Sequence, residues 1–181
     1  MGFEYDIIKF LQANATPNWV TFFQLVTMLG SYLGFLITFI IVFAKNKKLS
    51  IALAITFMVA SLINHVLKSI VGRTRPFDTY ADIVNYGNED GFSFPSGHSL
   101  CAGIFATYLF YTLICSTKNK WTRVLGSISI ILVAMLIALS RMVLGVHYLT
   151  DTIAGIFFGI LFAFIGILLY NILVKKWKGK R

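Results

Sequence analysis

Charged residues are scarce in this chain, and their scarcity excludes an ordinary soluble domain. Only 13% of the 181 residues are Asp, Glu, Lys or Arg, about half the share typical of soluble proteins, and the mean hydropathy is +0.79. Five stretches contain no charged residue at all: 10–44, 49–67, 91–117, 124–140 and 152–174. Each is close to or above the ~20 residues that cross the hydrocarbon core of a bilayer. The sequence therefore predicts an integral membrane protein.

Cysteine and histidine are also rare, which limits the chemistry available. Cys101 and Cys115 fall on one predicted span, too far apart along a straight helix for a disulfide, so we interpret both as small core residues. With three histidines and no carboxylate-rich ligand set, the sequence predicts neither a metal site nor a cofactor. The N-terminus lacks the pattern of a cleavable signal peptide.

The positive charge is unevenly distributed along the chain. Of the 16 basic residues, eleven lie in three segments without acidic residues, namely 44–48, 115–123 and 175–181. By the positive-inside rule these segments face the cytoplasm. A net charge of +9 also suits nucleic-acid binding, but charges scattered over membrane loops do not form a basic surface, and we expect no nucleic-acid partner.

These patterns predict an all-α fold with one domain over residues 1–181. Residues 1–16 alternate apolar and polar side chains at helical spacing, which indicates an interfacial amphipathic helix. About five transmembrane helices follow. Gly30 and Gly34 interrupt the first long apolar run, so only the second part of 18–44 is expected to cross the membrane. The other expected spans are 50–68, 97–116, 123–141 and 150–174. The polar segment 69–95 is predicted to be an extracytoplasmic loop, with the N-terminus outside and the C-terminus inside.

Six ionisable residues fall at the outer ends of the predicted spans, on three separate segments: Lys68, Arg75, His98, Arg141, His147 and Asp151. A charge at the bilayer centre costs roughly 2.5–3.5 kcal/mol on insertion scales, so a shared position near the interface indicates a common polar pocket. A small membrane transporter remains an alternative, although it would distribute such residues through the membrane depth.

Three of these residues are fixed cations suited to a multiply charged anion. Lys68, Arg75 and Arg141 can surround phosphate oxygens, and arginine offers them a planar fork of donors. Ser96 and Gly97 open a predicted span, where free backbone N–H groups and the helix dipole favour an anion. Any one lysine or arginine at a span end can also be a simple anchor, so the prediction of a phosphate site depends on their combination.

The remaining polar residues suit acid–base and nucleophilic chemistry. His147 and Asp151 share a face if they lie in one helical turn, and a carboxylate on one imidazole nitrogen leaves the other basic. His98 can then act as a general acid. His65 is interpreted as a support for Lys68, while Arg73 is either a lipid-headgroup contact or an anchor. Together the residues predict phosphoryl transfer.

The spacing of these residues resembles the three-part signature of the type 2 phosphatidic acid phosphatases. The matching segments are Lys68, six residues, Arg75 and Pro76; then Pro95, Ser96, Gly97 and His98; then Ser140, Arg141, five residues, His147, three residues and Asp151. The resemblance implies a metal-independent membrane lipid phosphatase whose helical core is shared with vanadate haloperoxidases. It further implies a phosphohistidine at His147 oriented by Asp151, a leaving group protonated by His98, and a phosphate held by Lys68, Arg75, Ser96, Gly97 and Arg141.

The identity of the lipid is less constrained by the sequence. An outward-facing site in the plasma membrane predicts undecaprenyl diphosphate as substrate and undecaprenyl phosphate as product. Phosphatidylglycerophosphate, phosphatidic acid and lipid A phosphates are the alternatives, because each presents a phosphate at headgroup depth. We expect the lipid tail to lie between spans where Gly103, Ala106 and Gly155 leave room.

Overall fold

A computed structural model of the protein describes residues 2–13 and 15–178, with side chains up to residue 174. These residues form eight helices and no strand: α1 (Phe3–Ala13), α2 (Pro17–Met28), α3 (Tyr32–Lys45), α4 (Lys47–Val71), α5 (Pro76–Thr79), α6 (Gly97–Ser116), α7 (Lys120–Val143) and α8 (Leu149–Lys178). The predicted all-helical membrane fold is confirmed.

Four of the helices, α4, α6, α7 and α8, are each long and apolar enough to cross a membrane within the described residues. Helices α2 and α3 meet the same criteria only as a pair, bent by 48° at their junction, so the count is four or five spans. Gly30 lies at the junction, where a Cβ would come within 2.7 Å of the Ile137 side chain. Gly34, also expected to interrupt the run, instead lies inside α3.

Local sequence signals define where the long helices begin and end. Asn46, Ser96 and Asn119 each accept a hydrogen bond from a backbone N–H in the first turn of α4, α6 and α7, respectively. Helix α4 ends at Gly72, which has φ of 62° and so adopts a conformation that glycine enters without steric cost. Lys68 thereby lies in the last turn of α4, and the chain turns directly into the segment that carries Arg75.

Helices α6 and α8 approach closely through glycine. A Cβ at Gly103 would lie 2.6 Å from the Ile156 carbonyl oxygen, and one at Gly155 would lie 2.5 Å from the Ser96 carbonyl oxygen. Such small residues allow helix backbones in membranes to touch. The expectation that Gly103 and Gly155 leave space for a lipid tail is therefore wrong, because each is filled by the opposing helix. Ala106 instead lines an apolar crevice of about 250 Å³ between α3, α6 and α7.

The amphipathic helix α1 packs against the end of the bundle that carries the predicted site residues. Tyr5 and Ile8 are buried against Met142 and Tyr148, whereas Phe3 and other apolar side chains of α1 are exposed. An apolar face toward the protein and further exposed apolar side chains suit a helix at the edge of a bilayer.

The two cysteines have different environments. Cys101 is buried in α6, whereas Cys115, near the end of the same helix, is exposed. The interpretation of both as core residues is thus wrong for Cys115.

Candidate active site

Two of the predicted phosphate-binding residues converge on one carboxylate. Arg141 Nη2 lies 2.5 Å from Glu89 Oε1, and Arg75 Nη2 lies 3.3 Å from Glu89 Oε2. His98 Nδ1 is 3.7 Å from Glu89 Oε1. Both guanidinium groups are almost completely buried, whereas the Glu89 side chain is 27% exposed. Glu89 was not predicted, because sequence reasoning recognised it only as one acidic residue of the polar loop.

The electrostatics of Glu89 follow from this arrangement. Burial alone would raise the pKa of Glu89, but the neighbouring charges of Arg141, His98 and Arg75 outweigh that effect and hold the pKa below its ordinary value. Glu89 is therefore ionised at neutral pH. An anion already occupies the space between the two arginines.

Backbone carbonyls fix the orientation of Arg75. Its Nε donates to the carbonyl oxygens of Asp90 and Gly91, and its Nη1 donates to the carbonyl oxygen of Val146 at 3.0 Å. Nη1 also lies 3.4 Å from Nε2 of His147. The guanidinium is thus held beside Nε2 of the imidazole, with its planar fork already oriented.

His147 lies in the short loop between α7 and α8, between the predicted spans 123–141 and 150–174. The loop turns at Gly145, whose φ of 73° and close approach to the Val84 carbonyl oxygen exclude a side chain. Despite the loop, the imidazole still faces Asp151, with Nδ1 3.6 Å from Oδ2. The predicted pairing of the two residues therefore has a different structural basis.

Ser93 connects the imidazole to the carboxylate. Its Oγ lies 3.2 Å from His147 Nδ1 and donates to Asp151 Oδ2 at 2.5 Å. Because the Ser93 proton is donated to the carboxylate, the hydroxyl oxygen can accept a hydrogen bond from the N–H at Nδ1. Sequence reasoning missed Ser93, which lies outside the three motif segments by two residues.

These contacts define the tautomer of His147. Arg75 can only donate, so His147 Nε2 must accept, and the ring proton lies on Nδ1 facing Ser93. Burial lowers the pKa of His147 to about 3; Asp151 opposes this shift and the charges of Arg141 and Arg75 reinforce it. The imidazole is therefore neutral at pH 7, with an unprotonated Nε2 whose electron pair faces Arg75.

Asp151 receives hydrogen bonds on both carboxylate oxygens. Oδ2 accepts from the backbone N–H of Tyr148 at 2.9 Å in addition to Ser93, and Oδ1 accepts from Arg73 Nη1 at 2.5 Å. The backbone N–H of Ser96 donates to the backbone carbonyl of Asp151, which ties the start of α6 to the start of α8. The Ser96 hydroxyl caps α6 by accepting from Ser99.

The remaining predicted residues border the same space. Lys68 Nζ donates to the carbonyl oxygen of Phe92 at 2.5 Å, next to Ser93. Gly97 is the first residue of α6, and His98 follows it. Lys68, like the two arginines, is close enough to act electrostatically on both histidines. All eight residues predicted from the sequence are thus brought together at one end of the bundle.

Two other residues considered from the sequence behave differently. His65 is exposed on α4 and makes no part of this cluster. Arg73, interpreted as an anchor or headgroup contact, instead forms internal ion pairs with Glu4 and Asp151. Among the described residues, no group of three or more His, Cys, Asp or Glu side chains is arranged to hold a metal ion.

Comparison with known proteins identifies the superfamily to which the chain belongs. Residues 48–175 match the model of the PAP2 superfamily, and the chain belongs to that superfamily. It is therefore a multi-pass membrane protein and a hydrolase of phosphate esters, of the lipid phosphatase type.

Individual relatives differ in the lipid that their names specify. An undecaprenyl-diphosphatase of Sulfolobus acidocaldarius is 30% identical over 92% of this chain and 78% of its own length. A lipid A 4'-phosphatase of Bacteroides thetaiotaomicron is 39% identical over 61% of this chain, which spans about half (48%) of that relative. The crystal structure of a PAP2-type phosphatidylglycerolphosphate phosphatase from Bacillus subtilis superposes with a TM-score of 0.79 at 25% identity, covering 93% of this chain and 84% of that one.

Proposed function

We propose that the protein dephosphorylates a membrane lipid at the extracytoplasmic face of the plasma membrane, with His147 as the nucleophile. One observation carries the proposal: His147 Nε2 lies beside Arg75, and Arg75 and Arg141 together bind a single anionic group, the Glu89 carboxylate. A lipid phosphate that replaces this carboxylate would draw Arg75 Nη1 from Nε2 to a phosphate oxygen, which would leave the electron pair of Nε2 available to phosphorus.

In the first step Nε2 of His147 forms a bond to phosphorus while the bond from phosphorus to the leaving oxygen breaks. The negative charge of the bound phosphate favours the protonated form of His98, which donates its proton to that oxygen, so the lipid leaves without a full negative charge on the oxygen. The imidazole of His147 becomes positively charged because Nδ1 keeps its proton. Ser93 and Asp151 stabilise that charge through the hydrogen bonds already present.

In the second step a water molecule attacks the phosphohistidine. His98, now neutral, accepts a proton from the water, and the new oxygen–phosphorus bond forms as the nitrogen–phosphorus bond breaks. The electron pair returns to Nε2 of His147, and inorganic phosphate leaves. Both histidines recover their starting protonation states, as a catalytic cycle requires.

The cations supply the electrostatic stabilisation that the reaction needs. Charge on the equatorial phosphate oxygens is met by Arg75, Arg141 and Lys68, with the backbone N–H groups at Ser96 and Gly97 at the start of α6. Such preorganised donors reproduce what a divalent cation supplies in other phosphatases. We therefore propose a metal-independent mechanism without a cofactor.

We propose undecaprenyl diphosphate as the substrate and undecaprenyl phosphate as the product. A diphosphate head carries enough negative charge to engage three cations, and its leaving group is a phosphate that requires only modest protonation by His98. The similarity to the Sulfolobus acidocaldarius undecaprenyl-diphosphatase supports this choice. The crevice lined by Ala106 is apolar and runs between α3, α6 and α7, which suits part of a prenyl tail.

Phosphatidylglycerophosphate is the second candidate. The observation in its favour is the likeness of the whole fold to the Bacillus subtilis phosphatidylglycerolphosphate phosphatase. Its terminal phosphate monoester fits the same cations, but the leaving group is an alkoxide. That chemistry depends more strongly on the proton of His98.

The test is phosphate release by the purified protein in detergent, with undecaprenyl diphosphate, farnesyl diphosphate, phosphatidylglycerophosphate and phosphatidic acid. His147→Ala should abolish turnover on every lipid, and His65→Ala, which changes an exposed histidine of α4, is the matched control. EDTA should leave the rate unchanged. Turnover by His147→Ala at the wild-type rate would refute the mechanism, and a tenfold preference for phosphatidylglycerophosphate, ~1.4 kcal/mol, would refute the substrate.

A further inference from the structure

We propose that Arg73 and Glu4 are positioning residues that hold the Asp151 carboxylate, which makes helix α1 part of the catalytic apparatus. The inference rests on the proposed function, because it assigns Asp151 the task of orienting His147. It adds two residues from outside the motif segments, one of them near the N-terminus.

Arg73 contributes donors to three side chains at once. Nη1 lies 2.5 Å from Asp151 Oδ1 and 2.7 Å from the Thr150 hydroxyl, and Nη2 lies 2.8 Å from Glu4 Oε2. Its guanidinium carbon lies 4.0 Å from the ring centre of Tyr148, whose aromatic face supports the cation. A planar group fixed on this many sides has one orientation, which is the property that a positioning residue needs.

The contact with Arg73 completes the hydrogen bonding of the buried Asp151 carboxylate. The Asp151 side chain is fully buried, with Oδ2 held by Ser93 and the Tyr148 N–H. Arg73 is the one side-chain cation paired with Oδ1 in the described structure. Removing one partner of such an ion pair leaves a buried charge uncompensated, so the carboxylate would reorient or take up a proton. Either change would disturb the hydrogen bonds that orient His147.

Glu4 is the outer member of the network and connects it to α1. Oε2 pairs with Arg73, while Oε1 accepts from both the backbone N–H and the hydroxyl of Thr150 at the start of α8. Burial alone would raise the pKa of Glu4, but the Thr150 hydrogen bonds and Arg73 outweigh it and lower the pKa. Glu4 is therefore an anion at neutral pH, and it holds Nη2 of Arg73 while Asp151 holds Nη1.

A second ion pair on α1 provides a contrast. Lys9 pairs with Asp82, but both side chains are about half exposed and neither contacts the cluster around His147. Exposed pairs of this kind contribute little to stability. Lys9 and Glu4 thus both attach α1 to the rest of the protein, and Glu4 alone of the two contacts a residue that binds Asp151.

The test compares kcat and KM for Arg73→Ala, Arg73→Lys, Glu4→Gln and the control Lys9→Gln. We expect Arg73→Ala to lower kcat by about 10- to 100-fold with KM within about twofold, because the substrate contacts remain. Arg73→Lys keeps the charge but can bond fewer partners, so it should recover part of kcat. Glu4→Gln should lower kcat several-fold, and Lys9→Gln should match the wild type.

A second pair of variants separates positioning from a general effect on folding. In an Asp151→Asn background the addition of Arg73→Ala should change kcat by less than about twofold, since the two residues act as a unit. Thermal unfolding in detergent reports whether each variant is folded. If Arg73→Ala lowered kcat equally in the wild-type and Asp151→Asn backgrounds, the inference would be overturned. A rise in KM at unchanged kcat in Arg73→Ala would overturn it as well.

These outcomes are distinct from a failure of the proposed function. If His147→Ala retains activity, the nucleophile assignment is wrong irrespective of Arg73. If His147→Ala is inactive while Arg73→Ala has the kcat of the wild type, the nucleophile stands and the positioning role is wrong.

Discussion

Glu89 occupies the position in which the proposed mechanism requires a phosphate, so substrate and carboxylate should compete. Its two oxygens contact Arg141 and Arg75, and the lowered pKa keeps it ionised at pH 7. We predict that Glu89→Gln strengthens the binding of a phosphate analogue. Vanadate is the appropriate probe, because it adopts the five-coordinate geometry of the transition state.

The magnitude follows from the contacts that are exchanged. A hydrogen bond to a charged group contributes about 1.5–3 kcal/mol, and an incoming anion must replace the two such contacts of Glu89. A glutamine is neutral, and its carbonyl oxygen can serve one arginine well but not both. If Glu89→Gln weakens one of the two arginine contacts, the competing group is bound less tightly by roughly 1.4 kcal/mol or more. The inhibition constant of vanadate should then be about tenfold lower.

The assay is inhibition of farnesyl diphosphate hydrolysis by orthovanadate at pH 7, with Asp90→Asn as the matched control. Asp90 lies in the same loop, and its change removes the same unit of charge, but Arg75 contacts Asp90 only through the backbone carbonyl. The control should shift the inhibition constant much less. An inhibition constant that stays the same or rises in Glu89→Gln would refute the reasoning and show that Glu89 supports the arginines for substrate.

Three further predictions follow from the site and the charge pattern. Ser93→Ala should lower kcat by about 10-fold or more with little change in KM, because the hydroxyl that bridges His147 Nδ1 and Asp151 is lost; an unchanged kcat in steady-state assays would contradict the bridge. Because burial depresses the pKa of His147 to about 3, the unfolded chain takes up a proton below pH 6.5 that the folded protein does not. The free energy of unfolding should thus decrease as pH falls from 6.5 toward 3, and His147 accounts for about 2 kcal/mol of that decrease at pH 5. Thermal unfolding measured at pH 7 and pH 5 should show a smaller decrease for His147→Asn than for the wild type. In a background lacking Cys101 and Cys115, an impermeant thiol reagent should label a cysteine introduced at Asn88 in intact cells but not one at Asn119; the reverse pattern would place the site on the cytoplasmic side.

The span positions and the cluster of motif residues were predictable because they depend on local patterns. Charge-free runs located α6 at 97–116 as predicted and α4, α7 and α8 to within a few residues, and capping residues explain most of the remaining differences. The interruption at Gly30 was visible for the same reason. These features require only the chemistry of neighbouring residues.

The supporting residues were not predictable, because they depend on contacts between distant parts of the chain. Glu4 meets Thr150 across 146 positions, and Arg73 meets Asp151 across 78. Nothing in the sequence near Arg73 distinguishes an internal ion pair from a membrane anchor, since both need a cation at a helix end. The predicted spans 123–141 and 150–174 left His147 between them, but its contact with Ser93 was not predictable, because the two residues are 54 positions apart.

The close glycine-mediated contact between α6 and α8 has a consequence for biosynthesis. The chain enters the membrane from its N-terminus, so Lys68, Arg75, His98 and Arg141 are all in place before α8 has emerged. Asp151 lies in the first turn of α8, and the backbone N–H of Ser96 donates to its carbonyl oxygen only when α8 packs against α6. In the proposed mechanism, a partly inserted chain would have its cations and its acid but would lack the carboxylate that orients His147. The mechanism therefore predicts that hydrolysis of lipid head groups requires α8 to be packed in place, so that a chain still entering the membrane would be inactive.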